Sequence, residues 1–364
     1  MLSALALLGF LISINSTKIE VSKSYTTKVK AANYMKQSME LLKSTRMVSG
    51  IFVDDENDPN ETGLVGSPFS LITTDEGDLD AKLTTLDPNF AAGIVELMDQ
   101  LGLQKNDTVA VLVTGSMPGA NMAVLSALKA IEAYPVTITS VGASQWGANQ
   151  VDFTWLDMEK ILHANQLISS RSISASIGGR NDMGRLLSPA GRAIITENIE
   201  KHGMPLIKKT KLAENIALRM KTFEDFADIK NYKAMINVGG GVASLGTSFN
   251  SKLLPAGIIR RSDIQNISLQ DGGIEGVLPK FSKNNIPVLH ILNIKSLTEQ
   301  LGMPFAPIPL PEIGVGSLYA IERYNLLIAF ICLSVICGSV FIVGYQSKKE
   351  IKEHLVNHEP DSLL

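Results

Sequence analysis

Thr108-Val-Ala-Val-Leu-Val-Thr114 is followed by Gly115-Ser-Met-Pro-Gly-Ala-Asn121, by the apolar stretch Met122–Tyr134, and by Pro135-Val-Thr-Ile-Thr-Ser-Val141. The first run is β-branched and uninterrupted, as a strand covered on both faces would be. Glycines and a proline then break it, a helical stretch follows, and a second β-branched run closes the unit. This β-loop-α-β order predicts parallel strands joined by a right-handed crossover. The fold class expected from it is α/β, an open and mostly parallel sheet with helices on both faces.

The alternation extends both ways. Upstream, Asp87-Pro88 opens a helix, since Asp caps and Pro suits the first turn. Phe90, Ile94, Val95, Met98 and Leu101 give that helix one apolar face. Downstream, Thr154 caps a helix through Leu162, and Leu167–Ile177 has strand character. Ser188-Pro189 starts a helix ending near His202-Gly203, and Leu212–Phe226 reads as another. Ala234–Val238 is a strand running into Gly239-Gly240-Gly241. After the turn at Asn284-Asn285, Ile286–Leu292 is the last strand, with one more helix behind it. The proline-rich stretch 303–312 reads as an extended connector.

The ends differ from the middle. Tyr324 to Ser347 carries no charge, and its roughly 24 residues make a helix of about 36 Å against a bilayer core of about 30 Å. Tyr324 and Tyr345 stand where interfacial aromatics belong. The N-terminal MLSALALLGFLISINST is also uncharged but near the lower limit for a span. It lacks the basic start and small-residue cleavage site of a secretory signal, so a short uncleaved anchor is expected. Lys348, Lys349 and Lys352 place the C-terminal tail on the cytoplasmic side, while Lys18, Lys23, Lys28 and Lys30 argue the other way. The expected organisation is an anchor over 1–17, a helical stalk over 18–46, an α/β extracytoplasmic domain over 47–320, a transmembrane helix over 321–347 and a basic cytoplasmic tail over 348–364. The localisation expected is a cell membrane crossed twice.

Composition narrows the function. Of 364 residues, 33 are Lys or Arg and 36 Asp or Glu, a net charge of −3 that argues against nucleic acid as partner. Apolar residues make up 45% and charged ones 19%, which suits a chain with a large core. Cys332 and Cys337 are the only cysteines, so a disulfide scaffold and a cysteine-ligated zinc site are excluded. His163, His202 and His290 show no paired ligand spacing, and no metal or cofactor is expected. His290, inside an apolar strand, reads as a core histidine. Asp54–Glu61 is acidic and turn-rich without the spacing of a calcium loop, and reads as a solvated loop.

Ligands in open parallel sheets bind at the carboxyl ends of strands. Two glycine-rich loops fall there, with Gly115, Ser116 and Asn121 in one and Gly239, Gly240 and Gly241 in the other. Each suits an anion held by backbone N–H groups, or equally a tight turn. Neither is a P-loop or a dinucleotide fingerprint. Arg180 and Arg185, within Ser176–Arg185, suit bidentate contacts to carboxylates or a solvated surface loop. As catalytic candidates the sequence offers Ser116 and Ser144 as nucleophiles and Asp157 and Glu159 as acid–base groups. Gly142-Ala-Ser144-Gln-Trp146 is not a nucleophile elbow, because Trp146 stands where Gly is needed. Asp157 also fits a capping interaction with Thr154.

Together Ser70–Gly77, Gly115–Asn121, Ser140–Asn149, Thr154–Glu159 and Ile236–Gly241 resemble the poly-γ-glutamate system protein family, over about residues 20–325 and the terminal spans. The resemblance implies a membrane accessory of bacterial poly-γ-glutamate (capsule-type) synthesis or export. Its implied partners are the membrane subunits of the synthase, the polymer and membrane lipid. It implies a pathway rather than a reaction and carries no catalytic residues. The alternative is an extracytoplasmic hydrolase or transferase acting on the polymer.

Overall fold

The computed structural model describes residues 2–51, 53, 56–266 and 274–357, with side chains through 353 in the last stretch. Asp54 and Asp55 of the acidic loop, and the tail beyond 357, lie outside the described residues. The chain divides into two units, Lys23–Tyr319 and the paired ends Met1–Ser22 with Ala320–Leu364.

The larger unit is mixed α/β around a seven-stranded sheet. Its strands are β1 (Thr108–Thr114), β2 (Tyr134–Ser140), β3 (Ser174–Ser176), β4 (Leu206–Ile207), β5 (Tyr232–Val238), β6 (Gly257–Ile259) and β7 (Val288–Ile291), in the order β6-β7-β5-β1-β2-β3-β4. All pairings are parallel except β6 with β7. The chain builds outward from β1 through β4, then returns to lay β5 on the other edge of β1.

Side chains of β1 alternate between two cores, as a two-sided strand requires. Val109, Val111 and Val113 join one core and Ala110 and Leu112 the other. The first core takes in α1 (Tyr25–Val48), α3 (Asn89–Gln100) and α4 (Pro118–Ile131), and the second takes in α7 (Leu212–Phe226) and α8 (Val277–Lys283). The remaining helices used below are α2 (Leu79–Thr85), α5 (Trp155–Ala164), α6 (Pro189–Lys201) and α9 (Ile294–Leu301).

Two expectations are corrected here. The helix expected as a stalk over 18–46 is α1, and it lies in the core. Ala31, Ala32, Met35 and Leu42 are fully buried, and Lys28 Nζ donates to Glu96 at 2.6 Å and to the Leu318 carbonyl at 2.7 Å. The small face at Ala31 and Ala32 lets the helix pack closely, so it has no bare shaft to present. In Leu167–Ile177 only Ser174–Ser176 joins the sheet. Upstream, hydroxyls hold the chain in other ways: Ser170 Oγ donates to the Pro135 carbonyl at 2.9 Å, and Ser172 Oγ to Glu159 at 2.8 Å.

In the smaller unit Thr17–Val21 pairs antiparallel with Ala320–Tyr324, Thr17 opposite Tyr324 and Val21 opposite Ala320. The expected helix over 321–347 therefore begins later, at Leu326, and continues to Asn357. Its Leu326–Glu353 portion is long and apolar enough to cross a membrane. The N-terminal helix, Leu2–Asn15, rises only about 21 Å. Among the described residues one helix, not two, has the length of a span. The shorter one packs on the longer at Gly9, where a Cβ would lie 2.9 Å from Ile336 Cδ1.

Phe223 is fully buried and meets Tyr232 and Phe281 edge-on, with ring centroids 5.8 and 5.4 Å away. Phe223→Ala is expected to cost about 3–5 kcal/mol in urea unfolding.

Candidate active site

A cleft of about 740 Å³ opens at the carboxyl ends of the parallel strands. It runs past the ends of β1, β2, β3, β5 and β7, with Thr114, Ser140, Gly178, Gly239 and Leu292 among its lining residues. The reversal of strand order between β1 and β5 puts the switch point, where such sheets bind ligands, in this cleft.

One wall comes from a segment outside the main sheet. Thr73–Asp75 pairs in parallel with Ala143–Ser144, just past the end of β2. Gln145 N–H donates to the Asp75 carbonyl at 3.1 Å, and the Gln145 side chain accepts from Gly77 N–H at 3.1 Å. Gly77 is needed for this approach, because a Cβ there would stand 2.4 Å from the Gln145 carbonyl oxygen. Asp78 then caps α2, accepting from Ala81 N–H at 3.2 Å. One turn into that helix is Lys82.

Lys82 is 4% exposed. Its Nζ donates to Ser144 Oγ at 2.9 Å, to the Ser116 carbonyl, and to Met117 Sδ at 3.3 Å. Burial drives its pKa down to about 7, with Asp78 opposing the shift. Ser116 Oγ accepts from Ser144 N–H at 2.9 Å, so the loop after β1 fixes the backbone that carries Ser144. Ser116, Ser144 and Lys82 all line the cleft. The arrangement joins a hydroxyl to a desolvated amine that loses its proton near neutrality, the elements of an activated serine.

The floor is held by a buried ion pair. Arg219 on α7 binds Asp182 with both terminal nitrogens, and its Nη2 also donates to Ser176 Oγ at 2.6 Å and to Ser140 Oγ at 3.3 Å. Ser176 Oγ donates to Asp182 at 2.8 Å. The bond set ties the ends of β2 and β3 to the Gly178–Gly184 turn, where Asn181 and Asp182 take positive φ of 55° and 60°.

The other expected site residues fall in different places. Ser116, Arg180, Gly239, Gly240 and Gly241 line the cleft. Gly115 is a packing glycine, since a Cβ would meet the Val141 carbonyl oxygen at 2.2 Å. Asn121 is buried, with its amide bound to the Thr114 carbonyl at 2.8 Å. Arg185 is exposed and does not line the cleft.

Asp157 and Glu159 are also absent from the cleft lining. Asp157 closes the capping box with Thr154 and accepts from His202 at 2.9 Å. Burial alone would raise its pKa, but bonds from His202, Thr154 and Asn198 hold it far below the usual carboxylate range. Glu159 is fully buried, and that burial pushes it up to about 7 against the bond from Ser172. The two carboxylates of α5 are thus held by their own partners and do not stand beside Ser144 in this cleft. His290 is a core histidine: Nδ1 pairs with the Asn237 amide at 2.9 Å, and burial lowers its pKa to about 4.

The sequence reading passed over Lys82 and Arg219. Both carry a signal in hindsight. Lys82 falls on the apolar face formed by Leu79, Leu83 and Leu86, and Arg219 on the stripe of Leu212, Ile216 and Phe223. A cation on the buried side of a helix needs a partner inside the fold. Among the described residues no three His, Cys, Asp or Glu side chains gather as a metal site. Comparison of the chain with family models, curated proteins and solved structures returns no match.

Two stability measurements follow from these buried cations. Arg219→Ala leaves Asp182 uncompensated and is expected to cost about 3–5 kcal/mol. Lys82→Met should stabilise the fold. From pH about 7 to the ordinary lysine value of 10.5, the unfolded chain binds a proton that the native one does not, so native stability rises with pH across that window. The gain from Lys82→Met is therefore largest below pH about 7 and shrinks toward 10.5, as urea titrations at pH 6 and pH 10 would show.

Proposed function

We propose that this chain is a membrane-anchored serine enzyme of acyl transfer, a hydrolase or transferase acting on the amide bonds of poly-γ-glutamate during its synthesis or export. The observation that carries this reading is the 2.9 Å hydrogen bond between Lys82 Nζ and Ser144 Oγ in the strand-end cleft. The polymer and pathway rest on the family resemblance.

The chemistry follows from the pair. Neutral Lys82 takes the Ser144 hydroxyl proton as Oγ attacks the amide carbonyl carbon. The resulting ammonium returns that proton to the leaving nitrogen as the C–N bond breaks, and the acyl group stays on Ser144 as an ester. A water, or the amine of another chain, then attacks the ester carbonyl and gives its proton to Lys82. As the ester bond breaks, Lys82 reprotonates Ser144 Oγ. Hydrolysis or chain transfer results according to the acceptor. Ser116 positions the nucleophile through its bond to Ser144 N–H. The buried amine needs no carboxylate partner for this, because desolvation already supplies the neutral form near pH 7.

In this reading the uncharged part of the helix, from Leu326 to Ser347, crosses the membrane, and the lysines at 348, 349 and 352 follow it on the cytoplasmic side. The short N-terminal helix packs beside it as a second membrane element, and the α/β unit works outside the cytoplasm. The accessory reading, a non-catalytic partner of the polymer or of the synthase subunits, is supported by the resemblance alone.

The test is the full-length chain in detergent micelles with purified poly-γ-glutamate, following chain length by gel and release of new ends. Ser144→Ala and Lys82→Met are each expected to lose about 10³-fold or more in rate, and Ser116→Ala about 10-fold through misplacement of the nucleophile. Because the base must be neutral, activity should rise with pH and titrate near 7. Unchanged polymer, with no acyl adduct on Ser144 from an activated γ-glutamyl ester, would remove the enzyme reading and leave the accessory role.

A further inference from the structure

Lys82 owes its burial to a helix that cannot hold itself. α2 has seven residues, too few to persist alone in water, yet Ala81, Lys82, Leu83, Thr84 and Thr85 are all buried. Lys82 points to the cleft, where it meets Ser116, Met117 and Ser144. Thr84 stands two positions on, about 200° round the helix and so on its outer side. There Thr84 Oγ1 accepts from Ala306 N–H at 2.8 Å. Ala306 belongs to the proline-rich stretch after α9, so this stretch backs the helix that carries the amine.

The same stretch is lightly held. Residues 303–317 form no helix or strand, and none of them is buried. Three side chains seat its middle: Thr84 at Ala306, Asn60, which donates to the Pro307 carbonyl at 2.9 Å, and Asn89, which donates to the Pro311 carbonyl at 3.0 Å. The ends are tied separately, Met303 N–H to the Thr298 carbonyl at 2.9 Å and the buried Tyr319 hydroxyl to Asn89 Oδ1 at 2.7 Å. Ala306 itself takes a φ of +45°, a left-handed conformation that costs an alanine free energy. The residue that seats the stretch on α2 is thus strained in place and relaxes on leaving.

The geometry points to residues 303–317 as a releasable strap: seated, it presses α2 inward and keeps Lys82 against Ser144, and lifted, it lets the helix fray and the amine withdraw. The inference rests on the acyl-transfer reading for its bearing on catalysis, and the strap itself stands on the contacts above. It supplies regulation of the site, an inactive state reached with the sheet intact, because no strand takes part in the seat. Burial is what brings Lys82 to titrate near about 7 rather than 10.5. Lifting of the strap admits water and returns the amine to its charged form at neutral pH, and the Asp78 charge acts in the same direction.

The test uses the full-length protein in micelles. Hydrogen exchange of the Ala306 amide reports seating, and acetylation of Lys82 by acetic anhydride across pH, read by mass spectrometry, gives the midpoint of its amine. Ala306 is expected to exchange by local opening, at a rate that sub-denaturing urea barely changes and about tenfold or more above the amides of β1. Ala306→Gly relieves the left-handed φ and should slow that exchange about fivefold. Ala306→Pro removes the N–H and cannot take the φ, so it unseats the strap from the outside of the fold. In that variant the Lys82 midpoint should rise by about one pH unit or more, and turnover at pH 7 should fall about fivefold as the neutral amine becomes scarce. Exchange of Ala306 only in step with global unfolding, or a Lys82 midpoint unmoved in Ala306→Pro, overturns the inference. A midpoint that moves in a protein showing no turnover would sink the enzyme reading and spare the strap, whereas turnover with an unmoved midpoint would do the reverse.

Discussion

Strand β1 has a parallel neighbour on each edge and a packed core on each face. That double burial is the constraint from which the rest follows. No side chain of the strand's middle can reach solvent, so polar chemistry is confined to its end, where Thr114 gives way to Gly115 and Ser116. The chain must also leave β1 toward one edge and later return to the other. The two loops that carry out this split, after β1 and after β5, cannot both cover the gap between them. The cleft is the space they leave.

Around that gap the protein places two cations by different means. Arg219 is paired, with Asp182 and two serine hydroxyls absorbing its donors, and acts as a bolt through the ends of β2 and β3. Among the described residues the Lys82 amino group bonds to a carbonyl, a thioether and a hydroxyl, with the Asp78 charge acting only from beyond hydrogen-bond distance. The contrast is chemical. A guanidinium keeps its proton under any such burial, whereas an ammonium bonded only to neutral groups gives it up near neutrality even with Asp78 opposing. One cation is fixed in charge and structural; the other is free to exchange a proton with the serine beside it.

Much of the scaffold was legible in the sequence because it is local. Thr108–Thr114 and Leu212–Phe226 match their strand and helix to the residue, and Pro189 opens its helix, since β-branched runs, apolar stripes and proline starts act within a few residues. The capping interaction of Asp157 with Thr154 was legible for the same reason. The placement of Ser116 and Ser144 near strand ends followed from the topology. Lys82 did not, because it reaches Ser144 only through the pairing of Thr73–Asp75 with Ala143–Ser144, two short segments whose partnership no periodicity announces. The arginines were misjudged likewise: the loop cations Arg180 and Arg185 drew attention by their glycine-rich setting, while Arg219 lay within an ordinary amphipathic helix. The stalk failed as an expectation because a lysine-rich surface hid a face of alanines and methionines suited to burial.

The ribbon that joins Thr17–Val21 to Ala320–Tyr324 has a bearing on how the chain is made. Its first strand leaves the ribosome before the α/β unit and its second after it. Everything from Lys23 to Tyr319 emerges between them, and that segment holds its own cores. The α/β unit can thus complete its sheet while the ribbon is still open, because the ribbon's second strand does not exist until the whole of that unit has been made.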